Sequence, residues 1–276
     1  MMSEELAQGW DVVTSDYEGL DSEWAVGPML GYATLDSIIA VEHFAPAGLE
    51  GTDTEVTLNG YSGGSEASTW AAALAPKYAS RLDIVGVAAG GNFPDFVYTT
   101  DHLDNSIWYG TEIGVLESFS RALPQDFDLA KILNAAGQAL AAKDGQDGSG
   151  CAGSTLNEPY GNAAQYTNFP DSEALAAYPP VHRGLEELSL KNGPLPKAPL
   201  FFHNSVDDDL AFIPPVDTWV ADYCQHGVTV DYDRDPAGGD HLTGIVPYWK
   251  AALPYLENAF AGDKPPDNCS TYGAEP

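Results

Sequence analysis

TEVTLNGYSGGSEASTWAAALAPKYA, Thr54 to Ala79, is the stretch whose reading decides the fold. Val56 and Leu58 alternate with polar residues, as suits a short strand. Gly60-Tyr61-Ser62-Gly63-Gly64 then matches G-x-S-x-G, and an Ala-rich run follows with Trp70 and Leu74 at helical spacing, ending at Pro76-Lys77. Strand, G-x-S-x-G and helix in that order are the context of a nucleophile elbow, a sharp turn that presents a serine at the carboxyl end of a strand. Gly60 and Gly64 are both expected because a side chain at either would block close approach of the backbone. Ser62 then stands at a helix N-terminus, where free N–H groups and the macrodipole favour developing negative charge. In a chain with 28 glycines the five-residue match alone can arise by chance, so the flanking strand and helix carry the reading.

Outward from the elbow, Gly9 to Gly19 (GWDVVTSDYEG) reads as a strand through Trp10, Val12 and Val13 that runs into a polar turn. Pro28 to Ala45 has the apolar spacing of an amphipathic helix, with Pro28 in its first turn and Pro46 closing it. Beyond the elbow, Leu82 to Ala88 is a nearly continuous apolar run, as in a parallel strand covered on both faces. Strands and helices alternating at short spacing predict βαβ units, hence an α/β fold with a mostly parallel sheet.

The alternation breaks between Phe93 and Lys197. Helical stretches are predicted around Ser106–Ala122 and Asp128–Ala142, then a Gly-rich hinge at Lys143–Gly153, an aromatic, Pro-rich stretch at Pro159–Pro180 and a short helix at Leu185–Leu190. More than 100 residues without a core strand exceed a plain crossover. The expected division is a core of residues 1–92 and 198–276 with an inserted helical cap at 93–197. The sheet resumes at Ala198–His203, followed by a helix at Pro215–His226 stopped by Gly227 and a strand at Val228–Tyr232. A last helix is expected at His241–Ala261, broken near Pro247 and Pro254, and the tail after Asp263 reads as irregular.

Composition removes several partners. The 41 acidic residues against 11 basic give a formal charge of −30, which argues against nucleic acid and anionic membrane surfaces. No run of 18 apolar residues occurs, so no membrane-spanning helix is predicted, and Met1-Met2-Ser3-Glu4-Glu5 is too polar for a signal peptide. Cys151, Cys224 and Cys269 match no metal spacing; three thiols permit one disulfide and a leftover, with the pairing left open by spacing.

An activated serine needs a base, and the base an orienting acid. Asp207-Asp208-Asp209 follows the strand that ends at His203, and Asp240-His241 follows the strand at 228–232. Ser62, one aspartate of 207–209 and His241 therefore run in the order Ser, Asp, His, each in a loop past the carboxyl end of a strand. His43, His102, His182 and His226 read as surface or packing residues, and His203, still inside its strand, as a support for the acid loop. The N–H of Gly63 is one candidate oxyanion donor. Asp16, in Ser15-Asp16-Tyr17-Glu18-Gly19, cannot donate when ionised and taken alone reads as a helix cap.

Together GWDVVTSDYEG (9–19), NGYSGGSEASTWAAALAPKYA (59–79), IVGVAAGG (84–91), FFHNSVDDD (201–209) and GGDHLTG (238–244) resemble the secretory lipase family, of the Candida antarctica lipase A type. The resemblance implies an α/β-hydrolase core with a helical cap between serine and aspartate, no cofactor and no metal. It marks Ser62 as nucleophile and His241 as base, and counting four residues from His203 it marks Asp207 as the acid. Asp16 resembles the family's oxyanion-hole aspartate, which donates in its protonated form, a state that burial would favour. Cys224 and Cys269 resemble a family disulfide, leaving Cys151 unpaired. Family members carry a long segment before the GW-x-V-V strand, with the first strands of the sheet and a secretion signal. The expectation here is a core lacking those strands, with an exposed edge at 10–14 that invites a homodimer.

The expected function is a serine hydrolase of lipophilic carboxylic esters, a triacylglycerol lipase or esterase, secreted and touching lipid interfaces without inserting. A peptidase or acyltransferase on the same fold, or a truncated, non-catalytic relative, are the alternatives. Phe93, Phe96, Tyr98, Trp108, Tyr109 and Phe119 of the cap are the candidate acyl-binding surface.

Overall fold

The computed structural model describes residues 2–49, 51–144 and 161–272. In chain order the elements are α1 (Met2–Ala7), α2 (Gly27–Glu42), β1 (Glu55–Tyr61), α3 (Gly63–Tyr78) and β2 (Asp83–Gly90). Helices α4 (Phe96–His102), α5 (Tyr109–Ala122), α6 (Leu129–Ile132), α7 (Ala135–Asp144), α8 (Ala163–Tyr166), α9 (Ser172–Ala176) and α10 (Pro179–Leu188) follow. The chain then forms β3 (Leu200–Ser205), α11 (Ile213–Gln225), β4 (Val230–Asp235), α12 (Ile245–Phe260) and α13 (Cys269–Tyr272).

Strands β1 to β4 lie side by side in sequence order, every neighbouring pair parallel. The register sets Tyr61 beside Gly90, Gly90 beside His203 and His203 beside Asp233, so the strands end nearly level. The loops after all four therefore emerge together at the carboxyl edge of the sheet, where open α/β sheets build their sites.

Small residues on one face decide where α12 packs. Gly86, Ala88 and Gly90 repeat at period two, and Tyr248, Ala252, Tyr255 and Leu256 of α12 close on them together with Phe201. A Cβ on Gly90 would lie 2.3 Å from the Tyr248 ring, so that lane must stay empty. Phe202, the next residue, points to the opposite face and stacks on Trp219 of α11 at 4.7 Å. Helix α12 is continuous through both prolines, against the break expected from sequence. Pro247 falls in its first turn, where the N–H has no helical partner to lose. Pro254 costs about 3 kcal/mol inside a helix. Burying each of Tyr248 and Tyr255 contributes about 4–6 kcal/mol at ~25 cal/mol per Å² over ~150–250 Å², and the burial wins.

The stretch expected as a strand at 10–14 forms no ladder, and β1 is the first strand of the sheet. Its apolar residues do not alternate strictly and Val13 is exposed; Trp10 packs instead on Phe260 at the end of α12, 4.8 Å between rings. The edge on which the dimer expectation rested is thus not made by these residues. Helix α1 docks nearby, its Glu5 accepting from Asn59 Nδ2 at 2.9 Å and its Glu4 from Trp249 Nε1. On the other side, Asn268 covers β4 as a strand would: it accepts from Tyr232 N at 2.9 Å, and its amide donates to Tyr232 O at 3.0 Å. The Cys224–Cys269 disulfide, expected from the resemblance, fastens that tail to α11.

The chain divides into two compact units, one of Met1–Tyr17, Gly27–Pro94 and Gly193–Pro276, the other of Glu18–Val26 and Asp95–Asn192. Glu18–Val26, expected with the core, belongs to the helical unit: Ser118 Oγ donates to Trp24 O and Arg121 to Ser22 O, each at 2.7 Å. Within that unit Phe119 packs edge-on against Phe96 and Phe127 at 5.4 and 5.3 Å. Phe96, Trp108, Tyr109 and Phe119, offered from sequence as an acyl-binding surface, are buried side chains of the helical unit. The stretch 128–142 splits into α6 and α7 because Asn134 Oδ1 accepts from Ala136 N and Gly137 N at 2.9 and 3.1 Å, capping a new helix. Cys151 and most of the expected hinge lie outside the described residues.

Candidate active site

Ser62 occupies the turn between β1 and α3 with φ 58° and ψ −125°, a strained conformation costing on the order of 1–3 kcal/mol. The turn is held from below: Ser62 N donates to Gly90 O at 2.9 Å, and Ser62 O accepts from Ser65 N and Glu66 N as α3 begins. A Cβ on Gly60 would lie 2.0 Å from Gly64 O, so the close approach of strand and helix requires glycine there. Gly64 differs from expectation, since a Cβ on it would meet nothing within 4 Å. Gly63 is the first residue of α3, and its N–H has no acceptor within the helix.

His241 lies between two partners. Its Nε2 is 2.8 Å from Ser62 Oγ, and its Nδ1 is 2.9 and 3.0 Å from the carboxylate oxygens of Asp208. The carboxylate facing the imidazole is that of Asp208 and not that of Asp207, the acid expected from the resemblance, which is exposed. Counting from His203 misses by one because the turn after β3 points Asp207 outward and buries its neighbour. Asp208 also accepts from Leu210 N at 3.0 Å and Ala211 N at 2.6 Å, which fixes its orientation. Asp209 accepts from His241 N at 3.1 Å.

Tyr61, to which the sequence reading gave no role, donates its hydroxyl to His241 O at 2.7 Å and lies 5.4 Å from the imidazole, ring to ring. Burial, then the carboxylates of Asp208, Asp240 and Asp209, push its hydroxyl pKa up, so it stays a donor. The only sequence signal was its place beside the serine in the motif. Gly91, with φ +59°, leaves room for both rings: a Cβ there would lie 2.9 Å from Tyr61 Cζ and 3.0 Å from His241 Cε1. Asp240 caps the turn after the histidine, and its hydrogen bonds from Thr243 hold its carboxyl below the usual range.

The acid and histidine loops are joined directly, by Val206 N to Asp235 O at 2.9 Å and by Ser205 Oγ donating to Gly239 O. His203 supports a different loop from the one expected, since its carbonyl accepts from Gly91 N at 2.9 Å while its ring pairs with Asp233. Asn92 and Asn204 add a second tie between the ends of β2 and β3, Asn92 Nδ2 to Asn204 Oδ1 at 2.8 Å. Asp16 is exposed rather than buried as expected. Among the described residues no group of three or more His, Cys, Asp or Glu is placed to hold a metal ion. A cavity of about 310 Å³ between Val85, Tyr255, Ala259 and Pro265 lies at the amino-terminal end of β2, away from Ser62.

This arrangement can pass the Ser62 proton to Nε2 while Asp208 holds Nδ1–H and balances the imidazolium. A serine on an elbow after β1 of a parallel sheet, with acid and base from the loops after β3 and β4, defines an α/β-hydrolase. Residues 1–268 match the secretory lipase family, and the chain belongs to it. It is 34% identical to Lipase A of Arthroderma benhamiae over 271 residues, covering 96% of this chain and 56% of that protein. It is 31% identical to Lipase 1 of Candida albicans, covering 96% of this chain and 58% of that one. The structure superposes on Candida antarctica lipase A in its closed state with TM-score 0.87 at 28% identity, over 98% of this chain and 63% of that chain. At 12% identity, a rice cell wall degrading esterase from Xanthomonas oryzae shares the fold, with TM-score 0.72. The chain thus spans a little over half the length of the curated relatives named.

Proposed function

We propose that this chain hydrolyses lipophilic carboxylic esters, as a triacylglycerol lipase or esterase, through an acyl-enzyme on Ser62. The observation that carries the reading is the Asp208–His241–Ser62 line, with 2.9 Å at Nδ1 and 2.8 Å at Nε2. His241 takes the Ser62 proton as Oγ attacks the ester carbonyl, then returns it to the leaving alkoxide. Water, deprotonated by the same imidazole, releases the acid. The Gly63 N–H, at the start of a 16-residue helix, is one oxyanion donor. Asp16 is the family-derived candidate for the second, and Asp16→Ala against Asp16→Asn tests it, since only the amide can donate. Membership of the secretory lipase family supports lipid substrates and an extracellular location.

The test is hydrolysis of p-nitrophenyl butyrate and palmitate by the chain and by Ser62→Ala. Loss of a nucleophile costs about 10⁶ in kcat in a serine protease. A variant that keeps its activity would end the reading, and the ratio of the two substrates separates lipase from short-chain esterase.

A further inference from the structure

His241 hangs on a loop that ought to be loose. It follows Gly238-Gly239-Asp240, with Gly239 at φ +81°. A base on a diglycine tether would sample many positions, yet its Nε2 must stay within hydrogen-bond reach of Ser62. The ring contacts cannot supply that restraint alone, because an imidazole can swing about its own side-chain bonds while its backbone drifts.

From this geometry we infer that Asp209 is a positioning residue that fixes the backbone of the base, distinct from Asp208, which orients its ring. Asp209 Oδ1 accepts from His241 N at 3.1 Å. The carbonyl of the same residue is held from the other side by the Tyr61 hydroxyl at 2.7 Å. Clamped at N–H and C=O, the His241 peptide units cannot rotate without breaking one bond or the other. The adjacent tie from Ser205 Oγ to Gly239 O restrains the tether itself. The clamp also links the loop after β3 to the loop after β4, so acid and base move as one body. Asp209 meets His241 at its backbone N–H rather than at its ring, and acts through where it keeps His241. The inference rests on the ester-hydrolase reading above and adds to it how the base is kept in register.

Asp209→Ala and Asp209→Asn are compared with the parent, Asp207→Ala and Ser62→Ala on p-nitrophenyl butyrate. Working sites are counted by fluorophosphonate labelling and folding is followed by the thermal midpoint. Misplacing a catalytic group by about 1 Å costs on the order of a hundredfold. Asp209→Ala is expected to lower kcat per labelled site about tenfold to a hundredfold with KM changed less than about twofold. Asp209→Asn keeps the oxygen acceptor and recovers most of that loss, and Asp207→Ala, on an exposed side chain, matches the parent. An Asp209→Ala protein with the parent's kcat per labelled site overturns the inference, whatever its thermal midpoint, and so does an Asn variant that rescues nothing. Should the parent be inert, or Ser62→Ala as active as the parent, the ester-hydrolase reading itself fails and this inference with it. Those outcomes are told apart from the first two by the Ser62→Ala arm.

Discussion

Asp208→Asn is the substitution that most directly tests the site. The Asp208 side chain is fully buried, with both oxygens on His241 Nδ1 and two backbone N–H groups, Leu210 and Ala211, aimed at one of them. An asparagine satisfies those two donors through its Oδ1. Its remaining NH₂ then faces Nδ1 and favours the tautomer protonated at Nε2, where a lone pair is needed to take the Ser62 proton. The corresponding change in a serine protease costs about 10⁴ in kcat, or about 5.5 kcal/mol at ~1.4 kcal/mol per decade. Asp208→Ala adds a stability term, because the buried Ala211 N–H loses its acceptor at about 1–3 kcal/mol and the partly buried Leu210 N–H loses its own. The Asn variant should therefore be folded and nearly inactive, and the Ala variant nearly inactive with a lower midpoint of unfolding. Asp207→Ala should change neither. The assay is kcat/KM on p-nitrophenyl butyrate beside urea unfolding, with His241→Ala to close a double-mutant cycle. Residues acting as a unit lose no more together than either loses alone. A fall of a thousandfold or more in Asp207→Ala with activity kept in Asp208→Asn would refute the assignment and the reasoning from burial behind it.

Gly60→Ala should cost more than about 3 kcal/mol or prevent folding, since its Cβ would sit 2.0 Å from Gly64 O; Gly64→Ala, with open space around it, should be neutral or stabilising by up to about 1 kcal/mol in urea unfolding. Tyr61→Phe removes the 2.7 Å bond to His241 O, worth about 0.5–1.5 kcal/mol, so kcat should fall about threefold to tenfold with a smaller change in KM. Burial, against a hydrogen bond from Thr100 and with the Asp104 charge adding to it, raises the Glu112 carboxyl to about 7, and burial alone raises Glu66 well above its ordinary 4.5. At these two carboxyls the folded protein binds more protons than the unfolded chain, so their contribution to stability should fall as pH rises above about 4.5, the Glu112 share being lost by about 7; Glu112→Gln should flatten the slope between those values, read from unfolding midpoints across pH. Opening the Cys224–Cys269 bridge, which spans 45 residues, by Cys269→Ser should cost up to ~4 kcal/mol, read as a lower urea midpoint.

What the sequence disclosed followed from how local its causes are. The elbow was legible because strand, turn glycine and helix sit within one short segment, and His241 because few histidines follow a strand this late in the chain. The sheet was legible for the same reason in Leu82–Ala88 and Ala198–His203, whose apolar runs need two covering layers wherever they go. Trp10–Val13 was not, because what it does depends on Phe260, distant in sequence, and on whether a neighbouring strand exists to pair with. Helix α12 was misjudged at Pro254 because a local rule was applied where long-range burial of Tyr248 and Tyr255 outweighs it. The cap aromatics show the converse: composition cannot distinguish a ring that lines a ligand surface from one that fills a helical core, and Phe119 does the second.

The aspartate run poses the sharpest limit, since three identical side chains carry no information about which is which. Their difference is created entirely by the turn after β3. That turn leaves Asp207 in water, drives Asp208 inward onto two backbone N–H groups and one imidazole, and sets Asp209 beneath the His241 backbone. An exposed carboxylate is screened and contributes little, whereas a buried one acts on whatever donor it meets. In a protein of formal charge −30, acidic residues near the base are not in themselves informative. The hydrogen-bond donor each one faces is, and by that criterion the roles divide without overlap: the ring to Asp208, the backbone to Asp209, the following turn to Asp240.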